Sequence, residues 1–268
     1  MVVFPNCKIN IGLNVIHRRT DGFHDIETVF YPVPWTDILE IIASETDEFI
    51  FEGIKIDCRL EDNLCYKAFR LLKNDFNLPA IKLFLYKNIP QGAGLGGGSS
   101  DAAFVLTTLN KLFSLHLTED QLMEYASKLG SDCAFFIRNQ AAFATGKGEI
   151  LSPVQPDLKD HYLLIVKPPV HVSTVDAFKL IVPVVPENSL RETIQLPVSE
   201  WRSSVKNDFE QPVFSLHPEL KTIKEKLYDL GAVYASMSGS GSAVYGLFDR
   251  KIDYRPNFEG NICWMNKL

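Results

Sequence analysis

The segment Pro90-Gln91-Gly92-Ala93-Gly94-Leu95-Gly96-Gly97-Gly98-Ser99-Ser100-Asp101 places five glycines among seven consecutive residues. An apolar, strand-like stretch precedes it, and an apolar stretch with helical spacing follows it. Because glycine has no Cβ, its backbone N–H groups can approach an anion closely, and the N-terminus of the following helix adds partial positive charge. The segment therefore predicts a phosphate-binding loop. A flexible linker is the alternative, but ordering so many glycines between two apolar elements would cost much entropy.

The sequence of the loop and its surroundings does not match three common phosphate-binding patterns. A Walker A loop ends in Gly-Lys-Ser or Gly-Lys-Thr, whereas Gly98 is followed by Ser99. Gly92, Gly94 and Gly97 have the dinucleotide-binding spacing, but a second helix follows where that fold needs a strand ending in an acidic residue. The protein-kinase motifs His-Arg-Asp and Asp-Phe-Gly are absent. The chain is thus predicted to hold phosphate with a different kind of glycine loop.

Composition and charge narrow the classes of function. The chain has 268 residues, 46% of them hydrophobic, so it can form one large core or two modest ones. Its net charge of −6 argues against the positive field that nucleic acids and anionic membranes require. The apolar start at residues 1–5 is too short for a signal peptide, and no run approaches the roughly 18 to 20 apolar residues that span a bilayer. We expect a cytoplasmic protein with no nucleic-acid or membrane partner.

Cysteines and histidines give no sign of a disulfide framework or a metal centre. The five cysteines are odd in number and contain no C-x-x-C pair, so we expect reduced thiols. The six histidines lack the H-E-x-x-H spacing, so no protein-held metal is predicted. A metal that takes part would arrive with the substrate.

Hydrophobic spacing predicts a mixed α+β chain. Strands are expected at residues 7–17, 26–32, 38–42, 81–86, 134–137, 141–144 and 162–167, the first three in one antiparallel sheet. Helices are expected from residue 62, at 99–113, 119–129, near 175–180 and at 218–230, with a hairpin at 236–242. The elements do not alternate regularly, which favours two α+β layers over a doubly wound parallel sheet.

The predicted domain boundary lies near Pro153 and Pro156, where prolines and charges form a linker-like stretch. It separates an N-terminal domain at residues 1–155, which contains the glycine loop, from a C-terminal domain at residues 156–268.

Three segments together carry a resemblance to a known family. They are Lys8-Ile9-Asn10-Ile11-Gly12-Leu13-Asn14 with Asp21-Gly22-Phe23-His24, the glycine loop and helix start at 92–103, and Ser236-Met237-Ser238-Gly239-Ser240-Gly241. They resemble the three motifs of the GHMP kinases, named after galactose, homoserine, mevalonate and phosphomevalonate kinases. The resemblance spans nearly the whole chain. It implies a two-domain α+β fold, with an N-terminal ribosomal-protein-S5-like domain and a C-terminal ferredoxin-like domain.

The resemblance also implies the reaction, which is transfer of the γ-phosphate of ATP, bound with Mg²⁺, to an alcohol. The segment at residues 21–24 points to a cytidine diphosphate-linked methylerythritol as the acceptor, phosphorylated on its 2-hydroxyl in the non-mevalonate route to isoprenoid precursors. Two alternatives stay open. One is a sibling kinase for mevalonate, homoserine or a sugar, and the other is a non-catalytic nucleotide-binding relative. The chain could be a monomer or a homodimer.

Lys8 and Asp132 are the candidate catalytic residues. Lys8 lies in an apolar strand, where a cation is costly unless a carboxylate or phosphate accompanies it. Asp132 directly precedes an apolar run, so its carboxylate would stand at the edge of a core element. The resemblance implies that Lys8 pairs with Asp132 and meets the γ-phosphate while Asp132 acts as the base. The alternatives are an edge-strand lysine and a turn or capping aspartate.

The resemblance assigns five residues to the acceptor: Asn10, Phe23, His24, Thr174 and Phe178. Asn10 would contact the methylerythritol hydroxyls. Phe23 and Phe178 would stack on the cytosine while His24 reads its edge. Phe23 stands where the family often has tyrosine, so a hydrogen bond from that hydroxyl would be lost. A core position is the alternative for Phe178, because an aromatic at helical spacing is more often packed than bound to ligand.

The residues predicted to bind ATP are the glycine loop and three positions matched by resemblance. They are Asn63, Lys87, Pro90, Gln91, Gly92, Ala93, Gly94, Leu95, Gly96, Gly97, Gly98, Ser99, Ser100 and Asn110. No protein ligand for the metal is predicted, because Ser99 and Ser100 suit helix capping equally well.

Overall fold

The computed structural model describes all 268 residues, which form twelve β-strands and nine α-helices. The strands are β1 (Val2–Val3), β2 (Asn6–Arg18), β3 (His24–Thr36), β4 (Ile38–Ala43), β5 (Glu48–Gly53), β6 (Ile81–Lys87), β7 (Ala142–Thr145), β8 (Ile150–Pro153), β9 (Tyr162–Lys167), β10 (Tyr234–Met237), β11 (Val244–Phe248) and β12 (Ile262–Lys267). The helices are α1 (Leu64–Phe76), α2 (Gly97–Leu112), α3 (Glu119–Ser127), α4 (Cys133–Arg138), α5 (Thr174–Lys179), α6 (Leu190–Thr193), α7 (Trp201–Ser204), α8 (Glu210–Leu216) and α9 (Pro218–Asp229). None of these helices has both the length and the apolar character needed to cross a bilayer. None of the five cysteines forms a disulfide.

The strands form three four-stranded sheets, with orders β1-β4-β6-β5, β2-β3-β7-β8 and β10-β11-β9-β12. The prediction that the first three long strands share one sheet is wrong for β4, which pairs antiparallel with β6. The chain changes sheets at Asp37, the single residue between β3 and β4. Its buried carboxylate accepts the N–H groups of Asn88 and Ile89, just after β6, and so directs the chain to that sheet.

The chain folds into two compact units. The first comprises Met1–Lys8, Trp35–Gln91 and Gly96–Gln140, and the second comprises Ile9–Pro34, Gly92–Leu95 and Ala141–Leu268. This partition differs from the predicted division at residue 155, because residues 9–34 pack with the later part of the chain. The boundary of the family domains at residues 155/156 stays a prediction.

In the first unit, α1 and α2 pack in one apolar core with β4 and β6. One face of α1 is buried, and it consists of Cys65, Ala68, Phe69 and Leu72. Steps of three, one and three residues place these side chains on the same side of a helix. Leu64 and Leu71 of the same helix are only half-buried. Asn63 caps this helix, because its side chain accepts the N–H of Cys65 at 2.8 Å.

The strand predicted at residues 134–137 is wrong, since this run lies in helix α4. Four consecutive apolar residues show no period, so spacing alone could not separate a buried strand from a buried helix. The run is short because Asn139, in the left-handed conformation with φ of 52°, ends the helix. Asp132 precedes the first helical residue, Cys133, and is therefore held at the start of α4.

In the second unit, the sheet β10-β11-β9-β12 packs against α9, whose buried face is Leu220, Ile223 and Leu227. The hairpin predicted at residues 236–242 is confirmed, with Met237 of β10 opposite Val244 of β11. Both units combine helices with mainly antiparallel strands, which confirms the predicted α+β class.

Candidate active site

The glycine loop runs into the N-terminus of α2, as the sequence predicted, with Gly96 at the N-cap and Gly97 as the first helical residue. Gly94 has φ of +75°, and a Cβ there would lie 1.9 Å from the carbonyl oxygen of Ser238. Gly96 has φ of +68°, and a Cβ there would lie 3.2 Å from Cε of Lys8. Both positions need glycine because the backbone conformation is left-handed and a neighbour already occupies the side-chain space. The other loop residues vary in burial: Pro90, Ala93, Leu95 and Ser100 are buried, Gly98 and Ser99 half-buried, and Gln91 and Gly92 exposed.

The first unit brings Lys8 and Asp132 together. Nζ of Lys8 lies 3.3 Å from Oδ2 of Asp132, with the two side chains 4% and 32% exposed. The burial of Lys8 excludes the alternative of an edge-strand lysine in solvent. Because Cε of Lys8 also lies against Gly96, the ion pair sits beside the N-terminus of α2, where the helix dipole attracts negative charge. The partly exposed carboxylate remains accessible to a substrate.

Lys87 occupies a different environment from the one that the sequence suggested. Its side chain is fully buried, and Nζ donates to Asp37 and, at 2.7 Å, to Oδ2 of Asp101. Burial acts to lower the pKa of Lys87, but the charges of Asp101 and Asp37 together raise it. Burial also raises the pKa of Asp101 to about 7, against the pull of Lys87. The ammonium group is thus committed to two buried carboxylates, and no side-chain atom of Lys87 is exposed to a nucleotide.

Sequence reasoning did not single out Asp37 and Asp101, which make this charged cluster. A carboxylate within the apolar face of α2 was a signal for Asp101, because buried acids need a cation or donors. Nothing in the sequence around Asp37 indicates its partner, which lies 50 residues away.

The two asparagines predicted for the nucleotide differ in position. Asn63 lines a cavity of about 420 Å³ whose other walls include apolar side chains and the backbone of Gly53. The apolar residues of this wall are Phe49, Phe51, Ile54, Ile56 and Leu60. Asn110 instead exchanges two hydrogen bonds with the backbone of Leu117, at 3.0 and 3.1 Å. It lies about 20 Å along α2 from the glycine loop, at 1.5 Å per helical residue, so the structure does not bring it to the phosphate end.

In the second unit, Asn10 belongs to a buried polar cluster. Its Nδ2 donates to Oγ1 of Thr28 at 2.9 Å, and its backbone N–H donates to Oγ of Ser238 at 3.1 Å. The side-chain oxygen of Asn10 lies beside Gly239, where a Cβ would come within 3.2 Å. Asn10, Thr28 and Ser238 are all buried, so their positions are set by the fold.

Two of the three residues predicted for the base, His24 and Phe178, contact each other. The His24 ring itself stacks on Phe178, with centroids 4.8 Å apart and planes 14° from parallel. Burial lowers the pKa of His24, and the charge of Arg18 lowers it further, which favours the neutral imidazole. Phe178 also meets Phe209 edge-on at 4.8 Å, so part of its surface is core packing. Phe23 is exposed.

Lys147 is a residue that sequence reasoning missed. It lies in the turn at residues 146–149, where its backbone N–H donates to the carboxylate of Glu149 at 2.5 Å. The turn places Nζ of Lys147 4.8 Å from the centroid of the Phe23 ring. A lysine between two glycines was the available signal, since glycine favours turns. Thr174, the last predicted acceptor residue, starts α5 and shares a hydrogen bond of 2.8 Å with Ser240.

Comparison with known proteins places this geometry in a family. The GHMP kinases N terminal domain matches residues 63–147, and the GHMP kinases C terminal domain matches residues 187–253. A 4-diphosphocytidyl-2-C-methyl-D-erythritol kinase of Bacteroides fragilis is 51% identical over 274 residues that span 100% of both chains. The chain belongs to the 4-diphosphocytidyl-2-C-methyl-D-erythritol kinase family. A kinase of the same name from Azobacteroides pseudotrichonymphae is 52% identical over 96% of each chain.

Solved structures agree with this kinase family. A crystal structure of a 4-(cytidine 5'-diphospho)-2C-methyl-D-erythritol kinase is 33% identical, covers 92% of this chain and 90% of its own, and has a TM-score of 0.76. A Streptococcus pneumoniae phosphomevalonate kinase has a TM-score of 0.67 at 17% identity, with 100% and 99% coverage, which shows the shared fold alone. The family, the α+β fold and the alcohol phosphotransferase class predicted from the sequence are thereby confirmed. Neither a sibling kinase nor a non-catalytic relative is favoured, whereas the roles of individual residues stay predictions.

Proposed function

We propose that this kinase transfers the γ-phosphoryl group of ATP to the 2-hydroxyl of 4-diphosphocytidyl-2-C-methyl-D-erythritol, with Asp132 as the base and Lys8 as its electrostatic partner. The observation that carries the assignment of these two residues is their ion pair at 3.3 Å beside the glycine loop. A buried lysine needs a compensating anion, and a partly exposed carboxylate at a helix N-terminus is placed to receive a substrate proton.

Asp132, Lys8 and the start of α2 each take part in the phosphoryl transfer. The hydroxyl oxygen forms a bond to the γ-phosphorus, its proton passes to the carboxylate of Asp132, and the bond to the bridging oxygen breaks to release ADP. Lys8 stabilises the charge on the moving phosphoryl group. The N–H groups at the start of α2, at Gly97, Gly98 and Ser99, bind the phosphates with the helix dipole.

Mg²⁺ fits the residues at this helix start. Mg²⁺ is usually held by nucleotide phosphates and only one or two protein oxygens, so a dedicated ligand cluster is not required. The first turns of α2 offer two hydroxyls: Ser99 is half-buried, and Oγ of Ser100 is buried without a hydrogen-bond partner. We assign Ser99 and Ser100 as the oxygens that would hold the ion or its water shell. When bound, Mg²⁺ neutralises charge on the β- and γ-phosphates.

The remaining assignments concern the two ligands. The cavity lined by Asn63, with its apolar walls, would receive the adenine ring. Asn10 would orient the methylerythritol hydroxyls from its fixed position. The exposed ring of Phe23 would stack on cytosine, and Lys147 would donate to the base or the diphosphate. The stacked pair of His24 and Phe178 would bound the other side of the base.

The test is ADP release by the purified protein with Mg-ATP and, separately, 4-diphosphocytidyl-2-C-methyl-D-erythritol, mevalonate, homoserine and galactose. We expect turnover with the first acceptor alone. Turnover with another acceptor would keep the Lys8 and Asp132 chemistry but refute the base-binding assignments. Absence of ADP release with all four acceptors would refute the proposed function.

A further inference from the structure

A buried asparagine holds the tight loop of the hairpin between β10 and β11. Asn207 is 4% exposed, and its Nδ2 donates to the carbonyl oxygens of Met237 and Gly239, both at 2.8 Å. Its Oδ1 accepts the N–H of Phe209 at 3.0 Å. Both donors and the acceptor of the amide are therefore used on backbone groups, which fixes its orientation.

The two carbonyls that Asn207 holds flank Ser238, and Ser238 contacts the glycine loop. Oγ of Ser238 donates to the carbonyl of Gly94 at 2.8 Å. A Cβ on Gly94 would lie 1.9 Å from the carbonyl oxygen of Ser238, so the two backbones are already in close contact. Any displacement of the hairpin loop would therefore pass directly to Gly94.

The same hairpin loop reaches two residues assigned to the acceptor. Oγ of Ser238 accepts the backbone N–H of Asn10 at 3.1 Å, and Oγ of Ser240 shares a hydrogen bond of 2.8 Å with Thr174. The strand that leads into the loop has a separate support, because the carboxylate of Glu210 accepts from Ser236 and from the N–H of Met237. Asn207 therefore acts on the loop itself.

We propose that Asn207 is a positioning residue for phosphoryl transfer, which sets the place of the hairpin loop and, through Ser238, the place of Gly94 in the phosphate-binding loop. This inference rests on the proposed function. The geometry gives it a physical reason, because reacting groups lose rate steeply when their supports shift by a fraction of an ångström to an ångström. Asn207 needs no contact with substrate to have this effect.

The test is the variant Asn207→Asp, which keeps the shape and the acceptor for Phe209 but puts an oxygen where Nδ2 stood. An ionised carboxylate would repel both carbonyls, whereas a protonated one can donate to one of them. We expect the affinity for a non-hydrolysable ATP analogue to fall by about tenfold or more, and kcat/KM by roughly 10- to 100-fold. The affinity deficit relative to the wild type should shrink as the pH is lowered from about 8 to 6, because burial raises the pKa of a carboxyl group.

The matched control is Tyr228→Phe. The hydroxyl of Tyr228 bonds to the backbone N–H and carbonyl of Ala235, at 3.2 and 3.3 Å, in strand β10 of the same hairpin. Its loss should weaken the fold while leaving analogue affinity within about twofold of the wild type at every pH. The inference is overturned if Asn207→Asp binds the analogue within about twofold of the wild type, or if Tyr228→Phe shows the same pH-dependent loss.

If Asn207→Asp does not fold, Ser238→Ala tests the same connection by removing the hydroxyl between the hairpin loop and Gly94. We expect analogue affinity to fall several-fold, and unchanged affinity would overturn the inference. Analogue binding is measured without an acceptor. A wild-type protein that binds the analogue but phosphorylates nothing would refute the proposed function, and would leave standing only the part of the inference in which Asn207 sets the place of the phosphate-binding loop.

Discussion

Replacing Lys87 with methionine distinguishes a structural lysine from a nucleotide contact. Methionine keeps the length of the side chain but removes its charge, which leaves Asp37 and Asp101 buried together without a cation. Breaking a buried ion pair by removing one partner costs about 3 to 5 kcal/mol, because the remaining charge stays uncompensated. For a chain of this size we expect the unfolding temperature of Lys87→Met to fall by roughly 6 to 20 °C.

The assay is thermal and urea unfolding, with ATP-analogue binding measured at a temperature where the variant stays folded. The matched control is Lys82→Met in the same strand, whose ion pair with Glu48 is 40% and 49% exposed. An exposed pair contributes about 0 to 1 kcal/mol, so this control should unfold close to the wild type. If Lys87→Met unfolds at the same temperature as Lys82→Met but loses affinity for the ATP analogue, Lys87 is a nucleotide contact. That result would refute the structural role of Lys87.

Three further predictions address the catalytic base, pH and the glycine loop. Asp132→Asn should lower kcat by about 10²-fold or more with KM for ATP little changed, measured by steady-state kinetics, because the variant lacks the carboxylate proposed as the general base. A change of only a few-fold would remove Asp132 from that role. Folding raises the pKa of Asp101 from its ordinary 3.8 to about 7. The folded protein therefore binds the proton of this carboxyl group more tightly than the unfolded chain does. Its contribution to stability is complete below the unfolded pKa and is lost as the pH rises through about 7, and Asp101→Asn should remove this pH dependence from urea unfolding curves. Gly94→Ala should weaken ATP-analogue binding at least about tenfold, since its Cβ would meet Ser238; wild-type affinity would contradict the close approach.

The sequence predicted those parts of the fold and site that depend on local chemistry. The glycine loop, its helix and the hairpin at residues 236–242 follow from backbone preferences that are visible within a dozen residues. Motif resemblance paired Lys8 with Asp132, although 124 residues separate them, because a buried lysine needs an anion and the family supplies one. Pairing of this kind could not come from spacing alone.

The features of the fold and site that the sequence did not predict depend on contacts between distant parts of the chain. Helix α4 has no periodic signal, so its buried surroundings decided between helix and strand. Strand β4 joined β6 because of Asp37, whose partners Asn88 and Ile89 lie about 50 positions later. The role of Asn207 arises from backbone carbonyls 30 and 32 residues away, which no property of its own sequence segment reveals.

The proposed reaction places the phosphate on one particular hydroxyl. The most direct measurement is the phosphorus NMR spectrum of the product from Mg-ATP and 4-diphosphocytidyl-2-C-methyl-D-erythritol. The carbon that bears the 2-hydroxyl also bears the methyl group and carries no hydrogen, so we expect a new phosphomonoester signal without three-bond coupling to a proton. A new signal split by carbinol protons would place the phosphate on another hydroxyl, and no new phosphomonoester at all would contradict the reaction itself.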